Sequence, residues 1–304
     1  MLSKLRKFRS LETITQSSEE LTSSLELMLG ESLVRLLPIS GGTSGLCFIG
    51  ELSGQQRFFK TYTAVASKEI LEKELTFLKA GIGDRSDASL LKVGSGEQAQ
   101  TWLHMKVLAP CPALTPMQVQ ELVVSNETAL SSIGEICLVP QDESLSLLLL
   151  EAKQALAVLE GNRLLSPDVR RQAQKCLARL ESQHKAWPLQ VCHGDLSPVN
   201  ILSDHLGPLV VDWEDAFWGV AGYDYLYWLT FFDNRKWLTP EVLGHTKLGH
   251  LNEIALMVAI LLLKSMLSVR SGSYTRNSIS FDQRLLEVMN LERNKLELPT
   301  HPAN

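Results

Sequence analysis

The first third of the chain combines helical and strand-like patterns of hydrophobic residues. From about Ser10 to Leu37, apolar residues recur at helical spacing, which predicts a helix. A turn at Ser53-Gly54 is flanked by the strand-like segments LCFIGEL and QQRFFKTYT, which predict an antiparallel hairpin. A second helix is predicted over SKEILEKELTFLKAG, ending at Gly81, and a strand over TWLHMKVLAP. This part of the chain therefore predicts a small lobe rich in β-structure.

Helical patterns dominate the rest of the chain. Predicted helices cover roughly Pro116–Leu130, Leu145–Glu160, Pro167–Ala186 and Leu251–Val269. The exception is a pair of short strands joined by a turn at Leu206-Gly207-Pro208. The fold class is therefore α+β. We expect a helical extension over residues 1–30, an N-terminal lobe over 31–108, and a C-terminal lobe over 109–304.

Composition and charge exclude several classes of protein. Of 304 residues, 45% are hydrophobic and 21% are charged, which is typical of globular proteins. The net charge of -5 argues against a nucleic-acid partner. Five cysteines without a CxxC pair argue against a disulfide framework. The apolar stretch Ile254–Leu263 is too short to span a membrane, and the N-terminal residues lack the apolar core of a signal peptide. We expect a cytoplasmic protein, and its oligomeric state is left open.

Candidate chemistry is concentrated in HGDLSPVNIL, which is followed closely by LVVDWEDA. Asp195 and Asn200 lie five residues apart, and Pro198 between them favours a loop. The predicted hairpin after this loop would return Asp212 towards Asn200. The three side chains would then converge, and such oxygen ligands suit Mg²⁺.

The motif HGDLSPVN has the spacing of the kinase catalytic loop H-R-D-L-x-x-x-N, with Gly194 in place of Arg. Together with VDWEDA and the later GYDYLYWL, it resembles the aminoglycoside phosphotransferase and choline kinase family. That resemblance implies a protein-kinase-like fold with ATP bound in a cleft between a small β-rich lobe and a larger helical lobe. It also implies phosphorylation of small molecules, with a nucleotide-binding N-terminal lobe over 31–108 and a catalytic and acceptor-binding C-terminal lobe over 109–304. Ser197 departs from the second histidine, or another bulky residue, that many relatives carry at its position.

The resemblance also implies roles for individual residues. Asp195 is expected to be the catalytic base that accepts the proton of the substrate hydroxyl. Asn200 and Asp212 are expected to bind Mg²⁺, and His193 is expected to orient the loop. The metal matters because phosphoryl transfer depends mainly on positioning and on charge stabilisation at the γ-phosphate.

A kinase also needs a lysine on its third strand and a glutamate on the following helix. Lys60 ends the apolar run RFFK, and Glu74 lies on the next predicted helix. A Lys60–Glu74 ion pair would direct the ammonium at the α- and β-phosphates. Glu69 and Glu72 are alternative partners, and either charge taken alone would be typical of a protein surface.

Two further segments are candidates for nucleotide binding. The turn SGGTSG could bring backbone amides and a hydroxyl to phosphate, although a plain hairpin turn explains it nearly as well. Its candidate residues are Gly41, Gly42, Thr43 and Ser44. The segment His104–Leu108, with Met105 and Val107, is the expected hinge that reads adenine through backbone groups.

The acceptor is expected to be a small molecule. Only eleven residues separate Asp212 from Asp224, and no APE motif follows, so there is little room for a peptide platform. The pocket is expected near Glu214, Asp215 and Trp218. Neighbouring aromatic residues could stack on a sugar or hold a quaternary ammonium, but core packing is favoured for most of them. Asp224 is expected to brace the catalytic loop.

These interpretations predict an ATP-dependent kinase that acts on a hydroxyl of a sugar or glycan precursor. Choline, another amino alcohol or an aminoglycoside are alternative acceptors. A nucleotide-binding protein with a kinase-like fold and no activity is a second class of function. The presence of all the residues that a kinase needs argues against it: Lys60, Glu74, Asp195, Asn200 and Asp212.

Overall fold

The computed structural model describes residues 18–30, 33–39, 45–62, 67–94, 99–131 and 139–292. These residues form two compact units. Unit 1 holds the described residues up to Pro112 and the segment Val199–Asp215. Unit 2 holds Ala113–Ser131, Val139–Pro198 and the described residues from Ala216 onwards.

Unit 1 is built on a five-stranded antiparallel sheet of order β1-β2-β3-β5-β4. Its strands are β1 (Leu33–Pro38), β2 (Leu46–Leu52), β3 (Gln55–Thr61), β4 (Ser89–Val93) and β5 (Gln100–Lys106). The predicted hairpin is present, since β2 pairs with β3 around Ser53-Gly54, where both residues have positive φ. Two helices belong to this unit, α1 (Ser18–Leu29) and α2 (Ser67–Ile82). The predicted strand that leads into Leu108 forms β5, and β4 was not predicted.

The N-terminal helix is shorter than predicted, because residues 33–38 form strand β1. Gly30 follows α1 with φ 57°, a left-handed conformation that ends a helix and that glycine adopts without strain. Strand β1 then pairs with β2, with Pro38 opposite Phe48. Leu36 joins the core cluster with Leu25 of α1 and Trp102 of β5. Burial against the sheet therefore outweighs the helical spacing of this segment.

A small three-stranded sheet completes unit 1. It consists of β6 (Ala109–Pro110), β8 (Ile201–Asp204) and β9 (Gly207–Val210), in the order β6-β8-β9. The turn between β8 and β9 lies at His205-Leu206, one residue earlier than predicted, because Pro208 already pairs with Ser203. The Asp204 carboxylate accepts the Leu206 N–H at 2.8 Å, which stabilises the turn at this position.

Unit 2 is mainly helical and includes a two-stranded sheet. Its helices are α3 (Pro116–Ser131), α4 (Leu145–Gly161), α5 (Pro167–Gln183), α6 (Tyr223–Leu229), α7 (His250–Arg270) and α8 (Phe281–Met289). Its strands, β7 (Gln190–Cys192) and β10 (Phe217–Gly219), are antiparallel. The four helices predicted for this part of the chain are α3, α4, α5 and α7, and α8 was not predicted.

Helix α7 forms the core of unit 2. It packs against α4, α5 and α8, and every residue from Glu253 to Leu263 is buried. Among the described residues it is the one helix long and apolar enough to cross a membrane, and 72% of its most apolar window is buried within the protein. A helix that is apolar on all sides and packed by neighbours is typical of a protein core.

Candidate functional site

Lys60 lies at the centre of an acidic cluster in unit 1. It occupies β3 opposite Cys47 of β2 and Leu103 of β5, and only 5% of its surface is exposed. Its Nζ lies 2.8 Å from Oε2 of Glu74 and also donates to Oδ1 of Asp212. The structure thus pairs Lys60 with Glu74. The alternative partner Glu72 lies 3.6 Å from the exposed Lys68. The other alternative, Glu69, lies in the first turn of α2.

The cluster around Lys60 contains more carboxylates than ammonium groups. Glu214 is a third carboxylate, with Oε2 4.0 Å from Lys60 Nζ, so three carboxylates surround one ammonium. Burial opposes the charge of Lys60, but Asp212 and Glu74 outweigh it and raise the lysine pKa. Burial raises the pKa of Glu74 to about 7, although the Lys60 charge counteracts it. The three carboxylates exceed the single ammonium, so the cluster carries a net negative charge when all three are ionised.

The β8–β9 hairpin brings Asn200 and Asp212 to one end of the same small sheet. Ile201 pairs with Val210. Just outside this pair, the N–H of Val211 donates to the carbonyl of Asn200 at 3.0 Å. The predicted return of Asp212 towards Asn200 is therefore present in the backbone. Asp212 has φ 68°, which is uncommon for a residue other than glycine and is often found at functional sites.

Glu214 holds the segment after Asp212 against the rest of unit 1. Tyr62 donates its hydroxyl proton to Oε2 of Glu214, and Lys73 donates to the Glu214 carbonyl at 2.6 Å. The Trp213 ring packs against Phe77 of α2 at a centroid distance of 5.8 Å. Glu214 is buried and anchors the Asp212 segment, and the expected acceptor pocket near it stays a prediction. Sequence reasoning missed Tyr62 and Lys73, whose side chains carry no local motif.

Two basic side chains, Arg85 and Lys106, hold the turn end of the β8–β9 hairpin through Asp204. Arg85 Nη2 lies 2.6 Å from Oδ1 of Asp204, and Lys106 Nζ lies 3.4 Å from Oδ2. The Arg85 hydrogen bond lowers the pKa of Asp204 well below its usual range. Both ends of the hairpin are therefore tied to the described part of unit 1 by charged groups.

Asp195 lies in unit 2, on the loop that follows β7. Its N–H donates to Nδ1 of His193 at 3.2 Å, which agrees with the orienting role expected for that histidine. Gly194 has φ 81°, so the glycine of HGD permits a backbone conformation that the Arg of the kinase motif would adopt with strain. The hydroxyl of Tyr227 donates to Oδ1 of Asp195.

Asp224 anchors this loop from the first turn of α6. Its buried carboxylate accepts the N–H of His193 at 2.8 Å and the N–H of Gly194 at 3.0 Å. Burial raises the pKa of Asp224, and the two backbone donors partly counteract that effect. The expected bracing contact is therefore present.

Sequence reasoning also missed a lysine behind the loop. Lys264 of α7 places Nζ 3.7 Å from the centroid of the Tyr227 ring and 3.4 Å from that of Phe231. The same ammonium donates to Oγ1 of Thr230 at 2.8 Å. The single charge within the apolar run of α7 was the available signal in the sequence.

The remaining candidate residues have different outcomes. Met105 is buried on β5 opposite Phe58, and Val107 follows that strand with 36% of its surface exposed. Their role in adenine binding stays a prediction. The turn residues Gly41, Gly42, Thr43 and Ser44 lie outside the described residues.

The aromatic stretch after Asp212 is largely core, as favoured from its spacing. At most 3% of the surface is exposed for Phe217, Tyr223, Tyr225, Tyr227 and Trp228. Tyr223 packs edge-on against Phe217 and stacks on Tyr227, with centroid distances of 4.7 and 5.9 Å. These rings stabilise unit 2 by packing.

Comparisons with known proteins found a matching family model and solved structures with a similar fold. The family model described as phosphotransferase enzyme family (APH) matches residues 83–252, more than half of the chain. A comparison with curated protein sequences found no significant match. Solved structures show the fold: a thermostable mutant of aminoglycoside phosphotransferase APH(4)-Ia, in a ternary complex with AMP-PNP and hygromycin B, has a TM-score of 0.59 at 13% identity, covering 91% of this chain and 99% of that one.

Two other solved structures have the same fold. Spectinomycin phosphotransferase APH(9)-Ia, in complex with ADP and spectinomycin, has a TM-score of 0.58 at 13% identity, covering 91% of this chain and 94% of that one. A choline/ethanolamine kinase family protein from Mesorhizobium loti has a TM-score of 0.56 at 16% identity, covering 93% and 95%. The predicted protein-kinase-like fold is therefore confirmed.

Proposed function

The chain belongs to the phosphotransferase enzyme family, and we propose that it transfers the γ-phosphoryl group of ATP to a hydroxyl of a small metabolite, a sugar or glycan precursor in the first instance. The observation that carries the proposal is the cluster in which Lys60 pairs with both Glu74 and Asp212. The chain itself connects this cluster to the HGD loop, since only four residues separate Asp195 from Asn200. Both parts would serve one reaction.

Nucleotide binding follows from the charges of unit 1. Lys60 is held ionised by its acidic neighbours and would pair with the phosphates of ATP. Gly41, Gly42, Thr43 and Ser44 are the proposed phosphate-covering turn. The backbone at Met105 and Val107 is the proposed adenine contact.

The donor set around Asp212 fits a magnesium ion. Asn200 and Asp212 offer one amide and one carboxylate oxygen, and Mg²⁺ is commonly held by one or two protein oxygens together with substrate phosphates. The described residues contain no group of three or more His, Cys, Asp or Glu side chains able to hold a metal. The proposal therefore relies on nucleotide phosphates for the other ligands of the ion. The excess of carboxylates around Lys60 supports a divalent cation here. When bound, Mg²⁺ would neutralise charge on the transferred phosphoryl group.

Asp195 would supply the proton chemistry. The acceptor oxygen forms a bond to the γ-phosphorus while its proton passes to the Asp195 carboxylate. The bond between that phosphorus and the β,γ-bridging oxygen breaks, and its electron pair leaves with ADP. Asp224 and His193 hold the loop, so the carboxylate keeps one orientation during this step.

A neutral polyhydroxy acceptor is favoured over a quaternary ammonium. Quaternary ammonium groups are recognised by aromatic faces. Here an internal ammonium, that of Lys264, already covers faces of Tyr227 and Phe231. The other aromatic rings of this stretch are mostly buried in the core, which leaves few faces for an external cation.

The test is a phosphate-transfer assay with Mg²⁺ and ATP. Pools of neutral sugars, choline and other amino alcohols, aminoglycosides, and a mixed protein substrate are each screened for a mass gain of one phosphate. We expect transfer into the sugar pool and its collapse in Asp195→Asn, which keeps the shape of the side chain but removes the base, while ATP still binds. Residual transfer is compatible with the proposal because positioning remains.

Three results would contradict parts of the proposal. Phosphorylation of proteins without any small-molecule product would exclude the acceptor class. Transfer to choline alone would exclude the preference for a neutral acceptor. Nucleotide binding without transfer to any pool would favour the non-catalytic function.

A further inference from the structure

Tyr227 and Lys264 make contacts that core packing does not require. Both lie in unit 2, on α6 and α7. The Tyr227 hydroxyl donates to Oδ1 of Asp195, and Lys264 Nζ lies over the face of the same ring, 3.7 Å from its centroid. We propose that Tyr227 and Lys264 are positioning residues that fix the orientation of the Asp195 carboxylate for proton transfer. This inference rests on the proposed role of Asp195 as the base.

The first step is the hydrogen bond from the phenol to the carboxylate. Only 3% of Tyr227 and 7% of Asp195 are exposed, so little water competes for this bond. A hydrogen bond to an ionised acceptor is about twice as strong as one between neutral groups. One carboxylate oxygen is thus held in place, which sets the direction in which the other oxygen faces.

The second step is the action of Lys264 on the phenol. A cation over an aromatic face attracts electron density from the ring. Withdrawal of that density makes the hydroxyl a better donor towards Asp195. Lys264 is kept in place by Oγ1 of Thr230 at 2.8 Å and by the Tyr227 carbonyl at 3.3 Å. The ammonium therefore strengthens the phenol–carboxylate bond without touching the carboxylate.

The position of Lys264 argues against a purely structural role. Lys264 is itself half-buried, between the fully buried Leu263 and Ser265. An unbranched apolar side chain would pack at such a position without the desolvation cost of an ammonium. A functional use of the charge explains its presence.

The same helix supplies a matched control. Tyr225 is also buried on α6, but its hydroxyl donates to the Val242 carbonyl at 3.2 Å, away from Asp195. Tyr225→Phe and Tyr227→Phe therefore remove the same atom from the same helix. Any difference between their effects on turnover reports the direction of the lost hydrogen bond.

The first experiment measures the kinetics of Mg·ATP hydrolysis, with water as the acceptor. We expect Tyr227→Phe to lower kcat by about 10- to 100-fold while KM for ATP stays within about twofold, because positioning of the base is lost and nucleotide contacts are not. Lys264→Met should lower kcat by roughly 3- to 10-fold, whereas Lys264→Arg keeps the positive charge and should retain most of the parental kcat. The control Tyr225→Phe should match the parent.

The second experiment does not depend on activity. The full chain is labelled with 3-fluorotyrosine, and its five tyrosine signals are assigned with Tyr→Phe variants. We expect the Tyr227 resonance to shift in Asp195→Asn and in Lys264→Met, while the Tyr225 resonance stays in place. This readout reports the contact itself.

Two results would overturn the inference. Parental kcat in Tyr227→Phe would show that the hydroxyl does not position the base. A Tyr227 resonance unmoved by Asp195→Asn would show that the contact is absent in solution. If the parent itself hydrolyses no Mg·ATP and transfers phosphate to no acceptor, the proposed function fails and the catalytic part of this inference fails with it, whereas the fluorine signals still test the contact separately.

Discussion

Asp224 offers the sharpest test of how the catalytic loop is held. Its two carboxylate oxygens accept the N–H groups of His193 and Gly194, at 2.8 and 3.0 Å. Asp224→Asn keeps the size of the side chain but leaves a single acceptor oxygen, and its NH₂ group faces one of the two backbone donors. One hydrogen bond to a charged group is lost, and one buried N–H is left without an acceptor.

The expected loss of stability can be worked from these contacts. A hydrogen bond to a charged group contributes about 1.5–3 kcal/mol, and an unsatisfied buried donor costs about 1–3 kcal/mol. Burial of the Asp224 charge offsets part of this loss, since a neutral amide is cheaper to bury. We expect Asp224→Asn to lower the free energy of unfolding by about 2–4 kcal/mol. Because Asp195 directly follows Gly194, a shift of about 1 Å in the loop should lower turnover by about 100-fold.

The assay pairs urea unfolding, followed by circular dichroism, with Mg·ATP turnover. Glu127→Gln is the control, because Glu127 accepts a single backbone N–H, that of Gly222 at 2.7 Å, and glutamine keeps an acceptor oxygen. We expect this control to lose less than about 1 kcal/mol and to keep its turnover. Equal losses in the two variants, or an Asp224→Asn protein with parental stability and turnover, would refute the bracing role.

The remaining predictions concern the acidic cluster of unit 1. Lys60→Met should lower turnover by at least about 100-fold and destabilise the fold by about 3 kcal/mol, since Glu74 stays buried without its partner. The control Lys68→Met removes an exposed ion pair and should match the parent in both assays. Asp212→Ala should abolish transfer and make nucleotide affinity independent of Mg²⁺ by calorimetry, and unchanged Mg²⁺ dependence would remove Asp212 from the metal site. Burial raises the pKa of Glu74 to about 7, so the folded protein binds this proton more tightly than the unfolded chain does. The stability that results is fully present below pH 4.5, the ordinary pKa of the group, and is lost as the pH rises through about 7. Glu74→Gln should remove this slope, of up to about 3 kcal/mol, from urea midpoints measured between about pH 5 and pH 8, and an unchanged slope would assign it to other groups.

Local patterns predicted the parts of the molecule that local physics determines. The β2–β3 hairpin follows from strand alternation around Ser53-Gly54, and α7 follows from its long apolar run. The backbone contact between Asn200 and Val211 could also be anticipated, because a short hairpin leaves its two ends side by side. The pairing of Lys60 with Glu74 was predictable only because a motif relates the two positions.

Contacts between distant residues were not predictable in this way. Tyr62 and Glu214 are 152 positions apart, and Tyr227 and Asp195 are 32 apart, so neither pair leaves a periodic signal. Strand β1 shows the competing effect of tertiary packing, since its residues have helical spacing but Leu36 is buried beneath the sheet. These contacts depend on which segments meet in the fold, and a single sequence does not encode that meeting as a local pattern.

The composition of unit 1 has a consequence for synthesis on the ribosome. Its strands β1 to β6 are followed by unit 2 residues before Val199–Asp215 supplies the hairpin and the Trp213 ring that packs on Phe77. The last piece of the unit is therefore translated roughly a hundred residues later, which takes on the order of 5–20 s at ordinary elongation rates. During that interval Arg85 lacks its partner Asp204, and Phe77 lacks the covering ring of Trp213. A fragment that ends near residue 112 would be caught permanently in this incomplete state, and we expect it to be chaperone-dependent and prone to aggregation.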